Sequence, residues 1–495
     1  MDAVQEKRLT NKEIMGYAFS GLASMFGMIT FGFLNMFYPM IGMDMNLFST
    51  ALLVARVVDF FVTLFVGGIM EKVKLRIGGG KYRPWLFVGQ FVFYFGMVLL
   101  FADPVPGNDL VHFIIVVVGS ILVNTTMSFI ATAQFGIIPA MAGSSADDRN
   151  SLTIWSYRMM TFGSIFTSAS GAYILAFIGS IFPPPLNYTI MTAIFGLFYF
   201  IGVAVLRGIS KPYDIVVDTP VGMAGPSVSV GDMVKAVTTN GQLLILLLVN
   251  TLSMIGMMAM MNVMIYYWQL IVPFTHNVAM AVSFPGLFTL GNTISTVASS
   301  VFAIFGPMLG TKVGKRNAIF LGLLGSFVSG VLNFFFGGKM WVLYVCISMI
   351  GTFAAALFAG FGINYALDCG EYGLWKTGQD HRLVIMSMTN MPMKIAAIIG
   401  GFILYALAAI GFDSNAVQMS AMTGELPAFL TDDFVTAFMF CMCMIPAVLN
   451  LLAALLIKFA YKITDEDAAR YAKENMDRMM AAGGFGGFGA PPEAE

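Results

Sequence analysis

The sequence predicts an all-α membrane protein, with twelve transmembrane helices in two halves of six and both termini on the cytoplasmic side. Three observations carry that expectation: the composition, the spacing of the apolar runs and the side on which basic residues collect. Of 495 residues, 58% are apolar and 11% charged, with a mean hydropathy of +0.82; soluble domains carry ~25% charged residues. Such a chain needs lipid around its apolar surface. A net charge of −1 offers no footprint for nucleic acid. The four cysteines (Cys346, Cys369, Cys441, Cys443) lie in or beside apolar segments, without the spacing of a disulfide or zinc framework.

Apolar runs bounded by charge or by Gly/Pro punctuation place helices at 14–41, 47–71, 84–103, 109–141, 151–179, 187–206, 239–271, 277–309, 317–337, 340–367, 384–411 and 432–461. A span needs ~20 residues, and the longer runs suit tilted or kinked helices. The polar amino terminus has no cleavable signal pattern, so the first span is expected to be retained. The interval 207–238 holds Lys-Pro, Thr-Pro and Gly-Pro dipeptides and no periodicity. It divides the chain into a first half (1–206), a linker (207–238), a second half (239–461) and a tail (462–495). With both ends inside, basic residues such as Lys72, Lys81, Arg83, Arg149, Arg207, Lys315, Arg316 and Lys376 fall on the cytoplasmic side, and Lys339 falls outside. That asymmetry is the positive-inside rule, and an odd number of spans would destroy it. Two six-helix halves joined in the cytoplasm are the layout of the major facilitator fold, in which each half nests inverted three-helix repeats.

In the tail, Asp465 to Met480 can form a short charged helix near the membrane surface, and the Gly/Phe/Pro-rich stretch from Gly483 is expected to be disordered. Gly78-Gly79-Gly80 is not a phosphate loop, since no Gly-Lys-Ser/Thr follows.

Strongly ionisable side chains well inside the helices are Arg56, Asp59, Arg158 and Lys394. A charge near the bilayer midplane costs roughly 2.5–3.5 kcal/mol even on lenient scales, so it faces a partner or a watery path. Arg56 and Asp59 stand three apart, on one helix face. They suit either a solute path or a purely architectural pair. Asp368 and Glu371 share a face at the cytoplasmic end of the tenth helix. Thr63, Ser128, Thr132, Gln134, Asn262, Asn292, Thr389 and Asn390 complete the polar set; any one alone also fits a helix-packing hydrogen bond. No nucleophile–base or metal-ligand cluster stands at membrane depth, so the residues do not suggest an enzyme.

Ala55-Arg56-Val-Val-Asp59, Gly68-Ile-Met-Glu71 and Lys81-Tyr-Arg83-Pro84-Trp85 resemble the second-helix signature of the glycoside–pentoside–hexuronide cation symporters, the melibiose-permease-like family. The resemblance continues through Gln134-Phe135-Gly-Ile-Ile-Pro139, Asp148-Arg149, Asp368-Cys-Gly-Glu371-Tyr372-Gly-Leu-Trp375-Lys376-Thr377-Gly378, Ser387 and Lys394. It spans the transmembrane region and stops before the tail. It implies cation-coupled symport of a sugar or glycoside across the plasma (inner) membrane by alternating access, with sodium or a proton as coupling ion and no cofactor. An uncoupled facilitator, a carrier of an amphiphilic solute and a lipid scramblase are the alternatives. The partners implied are a small solute and membrane lipid, with no nucleic acid, and the protein is expected to act as a monomer.

By the same resemblance, Asp59 matches the first position of the family's cation cluster and would be the metal ligand if sodium couples; the hydroxyls of Thr63 and Ser128 are the further ligands expected beside it. The resemblance puts Arg158, Phe135 and Lys394 at solute-binding positions; Arg56, Thr389 and Asn390 are expected to join them, and Arg149 is expected to pair with Asp368 and Glu371 as a cytoplasmic gate. The chain departs from the family pattern where Val62 and Thr63 stand at the cluster's amide and second-carboxylate positions, and where Met25 and Ala131 stand at the acidic sugar-binding positions. Phe135 and Ala359 stand where the family has tryptophans. One carboxylate among three cations favours an acidic solute such as a hexuronide over a neutral glycoside.

Overall fold

The computed structural model describes residues 9–73, 75, 77, 79–142, 146–214, 238–277, 279, 286–359, 362–378, 385, 388 and 391–481. Among them every regular element is helical. Six long helices form a first group: α1 (Asn11–Met40), α2 (Met45–Lys72), α3 (Arg83–Leu100), α4 (Asp109–Ala142), α5 (Ala146–Ile181) and α6 (Leu186–Ile209). The second group starts with α7 (Gly241–Tyr266), which continues through a π turn, Tyr267–Ile271, into Val272–His276. Next come α8 (Phe288–Val313), α9 (Lys315–Leu332) ending in a π turn at Asn333–Gly337, α10 (Trp341–Ala359) and α11 (Gly362–Thr377). The eleventh run is broken into α12 (Met391–Gly400) and α13 (Ile403–Ala409), and is followed by α14 (Ser414–Thr423). The last run is α15 (Asp432–Met439), a π turn at Phe440–Met444 and α16 (Ile445–Phe459); α17 (Asp465–Ala481) is the tail helix.

Local chemistry sets these limits. Thr10 and Glu13 form a capping box at the start of α1, Thr10 N donating to Glu13 Oε2 at 2.8 Å. Asp44 caps α2 by accepting from the amides of Asn46 and Leu47, both at 3.0 Å. Two of these π turns are followed, one residue on, by a proline, Pro273 or Pro446. A proline removes an N–H and crowds the preceding turn, and a π turn is one way a helix absorbs that.

Ten of the described helices are long and apolar enough to cross a membrane. Of the twelve expected spans, the eighth and tenth are not among these ten, which are counted over the described residues alone. α8 covers 26 residues, and positions 278 and 280–285 before it lie outside the described residues. The apolar part of α10 is the shorter Trp341–Leu357.

Packing repeats between the groups. In the first group α1 packs on α5 and α6, α3 on α4 and α6, and α2 on α4. In the second, α7 packs on α12 and α16, α9 on α10 and α16, and α8 on α10. Small residues allow the close approaches: a Cβ on Gly202 would lie 2.2 Å from that of Ala23, and one on Gly325 2.4 Å from that of Ala354. Between groups the principal contacts are α5 with α8, α2 with α12 and α13, and α1 with α7 and α14.

Candidate coupling and substrate site

Asp59 lies midway along α2 and is buried, 6% exposed. Both of its oxygens are engaged. Thr63, one turn on, donates to Oδ1 at 3.3 Å, and Lys394 Nζ on α12 donates to Oδ2 at 2.8 Å. The Lys394 ammonium also donates to Ser128 Oγ on α4 at 3.3 Å, and the Ser128 and Thr63 hydroxyls are 3.2 Å apart. Three elements from two groups therefore meet at one ion pair. Its carboxylate side chain is 8% exposed and its ammonium side chain 20%, so one edge remains accessible. Removing one partner of a buried pair typically costs about 3–5 kcal/mol, because the other charge is left uncompensated.

Arg56 does not share that carboxylate. Its Nη2 crosses to α7 and donates to Asn262 Oδ1 at 3.0 Å. Asn262 is held by its own Nδ2, which donates to Met258 O at 2.8 Å. Ser128, Thr132 and Phe135 are spaced to share one face of α4, and Phe135 is 72% exposed. Arg158 is exposed on α5, its guanidinium 4.9 Å over the Trp155 ring. The structure thus joins Asp59, Thr63, Ser128 and Lys394, sets Arg56 beside them on Asn262, and places Phe135 and Arg158 outside the bonded cluster. Thr389 and Asn390 lie outside the described residues, as does the Arg149 side chain.

At the end of the bundle carrying the amino terminus, Asp368 pairs with Lys315 at 2.8 Å. Burial pushes the Asp368 carboxyl up, and the Lys315 ammonium draws it partly back. Glu371 accepts from Asn475 Nδ2 at 2.8 Å, and its carbonyl accepts from the same group at 2.9 Å. Nearby, Trp375 Nε1 donates to Glu474 at 2.6 Å and Arg478 donates to Trp375 O at 3.0 Å. The tail helix α17 is therefore docked on α11. In the first group, Asp214 accepts from the amides of Lys81, Tyr82 and Arg83 at 2.9, 2.9 and 2.8 Å. Tyr213 donates to Glu13 at 2.5 Å; burial, then that bond, pushes its phenol up to about 12.

The opposite end is joined across the groups. Thr50 and Tyr405 hydroxyls are 2.7 Å apart, Asn35 Nδ2 donates to Asn262 O at 2.9 Å, and Tyr266 OH donates to Asn35 O. Sequence reasoning missed Lys315, Asn475 and Tyr405 as partners, and counted Asn262 only within the general polar set. Lys315 and Asn475 lie in polar termini where periodicity says nothing about pairing.

A family model described as MFS/sugar transport protein matches residues 16–465. The uncharacterized symporter YjmB of Bacillus subtilis (strain 168) is 24% identical over 481 residues, covering 95% of this chain and 96% of that protein. A glucuronide carrier protein homolog of Escherichia coli (strain K12) is 25% identical, covering 93% and 94%. Another protein of that strain, named as a candidate exporter of 2,3-dihydroxypropane-1-sulfonate, is 23% identical, covering 83% and 86%. Among solved structures, the nucleoside transporter NupG matches with a TM-score of 0.56 at 13% identity, covering 92% of this chain and 100% of that one. An inward-facing, unoccupied bacterial homolog of the human lysosomal transporter Spinster matches with a TM-score of 0.61 at 12% identity, covering 94% and 97%. These relatives and neighbours are transporters, and the fold is theirs. The chain belongs to the MFS/sugar transport family: it is a melibiose-permease-like sugar transporter of the major facilitator superfamily, a multi-pass protein of the plasma membrane.

Proposed function

We propose that this protein is a proton-coupled symporter of an acidic sugar, built of twelve spans in two halves with both termini cytoplasmic. The observation that carries the reading is the Lys394–Asp59 pair, 2.8 Å across the two groups. In this arrangement the ammonium stands where a coupling cation would otherwise bind. Sodium would have to displace it and then be satisfied by one carboxylate and the hydroxyls of Thr63 and Ser128, a thin set for a hard cation. A proton needs no cage. Protonating Asp59 removes its charge and releases the Lys394 ammonium, which is then available to the carboxylate of the solute. Binding of each partner favours the other, because the acidic solute replaces the counter-ion that the proton has neutralised.

The sign of the local charge supports the solute class. Arg56 and Lys394 outnumber Asp59 at the site, and a glucuronide carrier homolog is among the relatives. The cross-group bonds at the end opposite the amino terminus support an inward-facing state in which the outside is closed. Arg149, Asp368 and Glu371 would form the closing contacts at the cytoplasmic end once the halves rock.

Uptake of a radiolabelled glucuronide into proteoliposomes tests the reading, with sodium replaced by choline at fixed pH and a pH gradient imposed separately. Accumulation that follows the pH gradient and ignores sodium is the expected result. A large loss of uptake in choline would restore sodium coupling, and equilibration without accumulation under either gradient would make the protein an uncoupled facilitator.

A further inference from the structure

The break between α12 and α13 is a seat for Arg56. A Cβ on Gly401 would lie 2.2 Å from Arg56 Nη1, and 3.2 and 3.4 Å from the carbonyl oxygens of Ile398 and Ala397. The guanidinium therefore rests against the last turn of α12, where Gly401 N donates to Ile398 O at 3.2 Å and Phe402 N to Ile399 O at 3.1 Å, at the negative end of the helix dipole. Its neighbour Gly400 lets the same turn press on α7: a Cβ there would lie 2.8 Å from that of Met258 and 3.0 Å from Ala259 N. Met258 O in turn holds Asn262 at 2.8 Å, and Asn262 Oδ1 receives Arg56 Nη2 at 3.0 Å. The Asn262 carbonyl takes Asn35 from α1 at 2.9 Å. One side chain from the first group is thus gripped from two sides by the second, using glycine backbone and an amide in place of a carboxylate.

We propose that Arg56, seated in the Gly400–Gly401 break and bonded to Asn262, is the latch that holds the outer end closed. The chemistry suits a latch better than a permanent strut. Neutral dipoles hold a guanidinium with less energy than a carboxylate would, so the contact can be made and broken within a transport cycle. The seat exists only because residue 401 has no side chain. The Asp59–Lys394 pair, one turn deeper, is then free to respond to proton and solute without also carrying the outer closure.

The test measures distance and needs no substrate. Spin labels are placed on the full chain in lipid nanodiscs at Asn46 and Asn415, both exposed near the outer ends of the two groups, and the distance distribution is recorded by double electron–electron resonance. Gly401→Ala and Arg56→Gln should each move a substantial share of the population, at least a few-fold over the parent, to a longer separation. Asn262→Leu should do the same while keeping Arg56 and its seat. Size-exclusion profiles matching the parent establish that each variant is folded, and Gly401→Ala, which adds a single methyl, is the mildest of the three. Unchanged distributions in folded Gly401→Ala and Asn262→Leu would overturn the latch. A lengthened distance would uphold the latch even if the parent protein itself fails to accumulate glucuronide, a failure that would count only against the proposed solute.

Discussion

At the residue scale the site is one ion pair with two hydroxyls. Asp59 and Lys394 were legible in the sequence because charges at membrane depth are scarce, and scarcity itself marks them. Their pairing was not legible, since the two are 335 residues apart and no helical spacing connects them. Spacing pointed Arg56 at Asp59, but Lys394 occupies that carboxylate and Arg56 reaches Asn262 instead. Asp59→Asn should therefore reduce gradient-driven accumulation about a hundredfold and lower stability by about 3 kcal/mol, because a lone buried ammonium remains. Adding Lys394→Met should recover most of the stability and none of the accumulation. Thermal unfolding in detergent and proteoliposome uptake, measured on both variants, check the two halves of this prediction.

At the element scale the sequence yielded the helices better than their joints. A charged tail helix was expected near the membrane surface; its docking on α11 was not, because the contact uses Asn475, Glu474 and Arg478, with the Trp375 and Tyr471 rings 4.8 Å apart. The break at Gly400–Gly401 passed as part of one apolar run because glycine is common in transmembrane helices. Two joints make sharp predictions. Lys315→Ala strips the half-buried Asp368 of its ammonium and should cost about 1–3 kcal/mol, with Lys315→Arg close to the parent. Asp214→Ala leaves three amides at the entry to α3 without their acceptor, and a loss of about 2 kcal/mol is expected. Thermal melts of the purified protein measure both.

For the whole molecule, composition and the rhythm of apolar runs made the membrane class and helical architecture readable. The relation between the groups was not readable, because it rests on a handful of polar contacts between residues far apart in sequence. Closure of the end opposite the amino terminus can be fixed covalently. With the exposed Cys346 replaced, cysteines at Thr50 and Tyr405, whose hydroxyls are 2.7 Å apart, should be joined by a bis-methanethiosulfonate reagent whose arm replaces the reach of the tyrosine ring, which a direct disulfide could not span. Uptake should then fall to a few per cent and return on reduction. Undiminished uptake by the cross-linked protein would mean that this end need not open.

The repeated packing, in which α1, α3 and α2 find the same relative neighbours as α7, α9 and α8, bears on how the protein can be manufactured. Each group satisfies its main contacts internally, so the covalent connection between Asp214 and Thr238 is expected to act chiefly by keeping the two at high effective concentration. A gene cut there, with both fragments produced in one cell, should yield two polypeptides that insert separately and complement each other, restoring uptake that neither supplies alone.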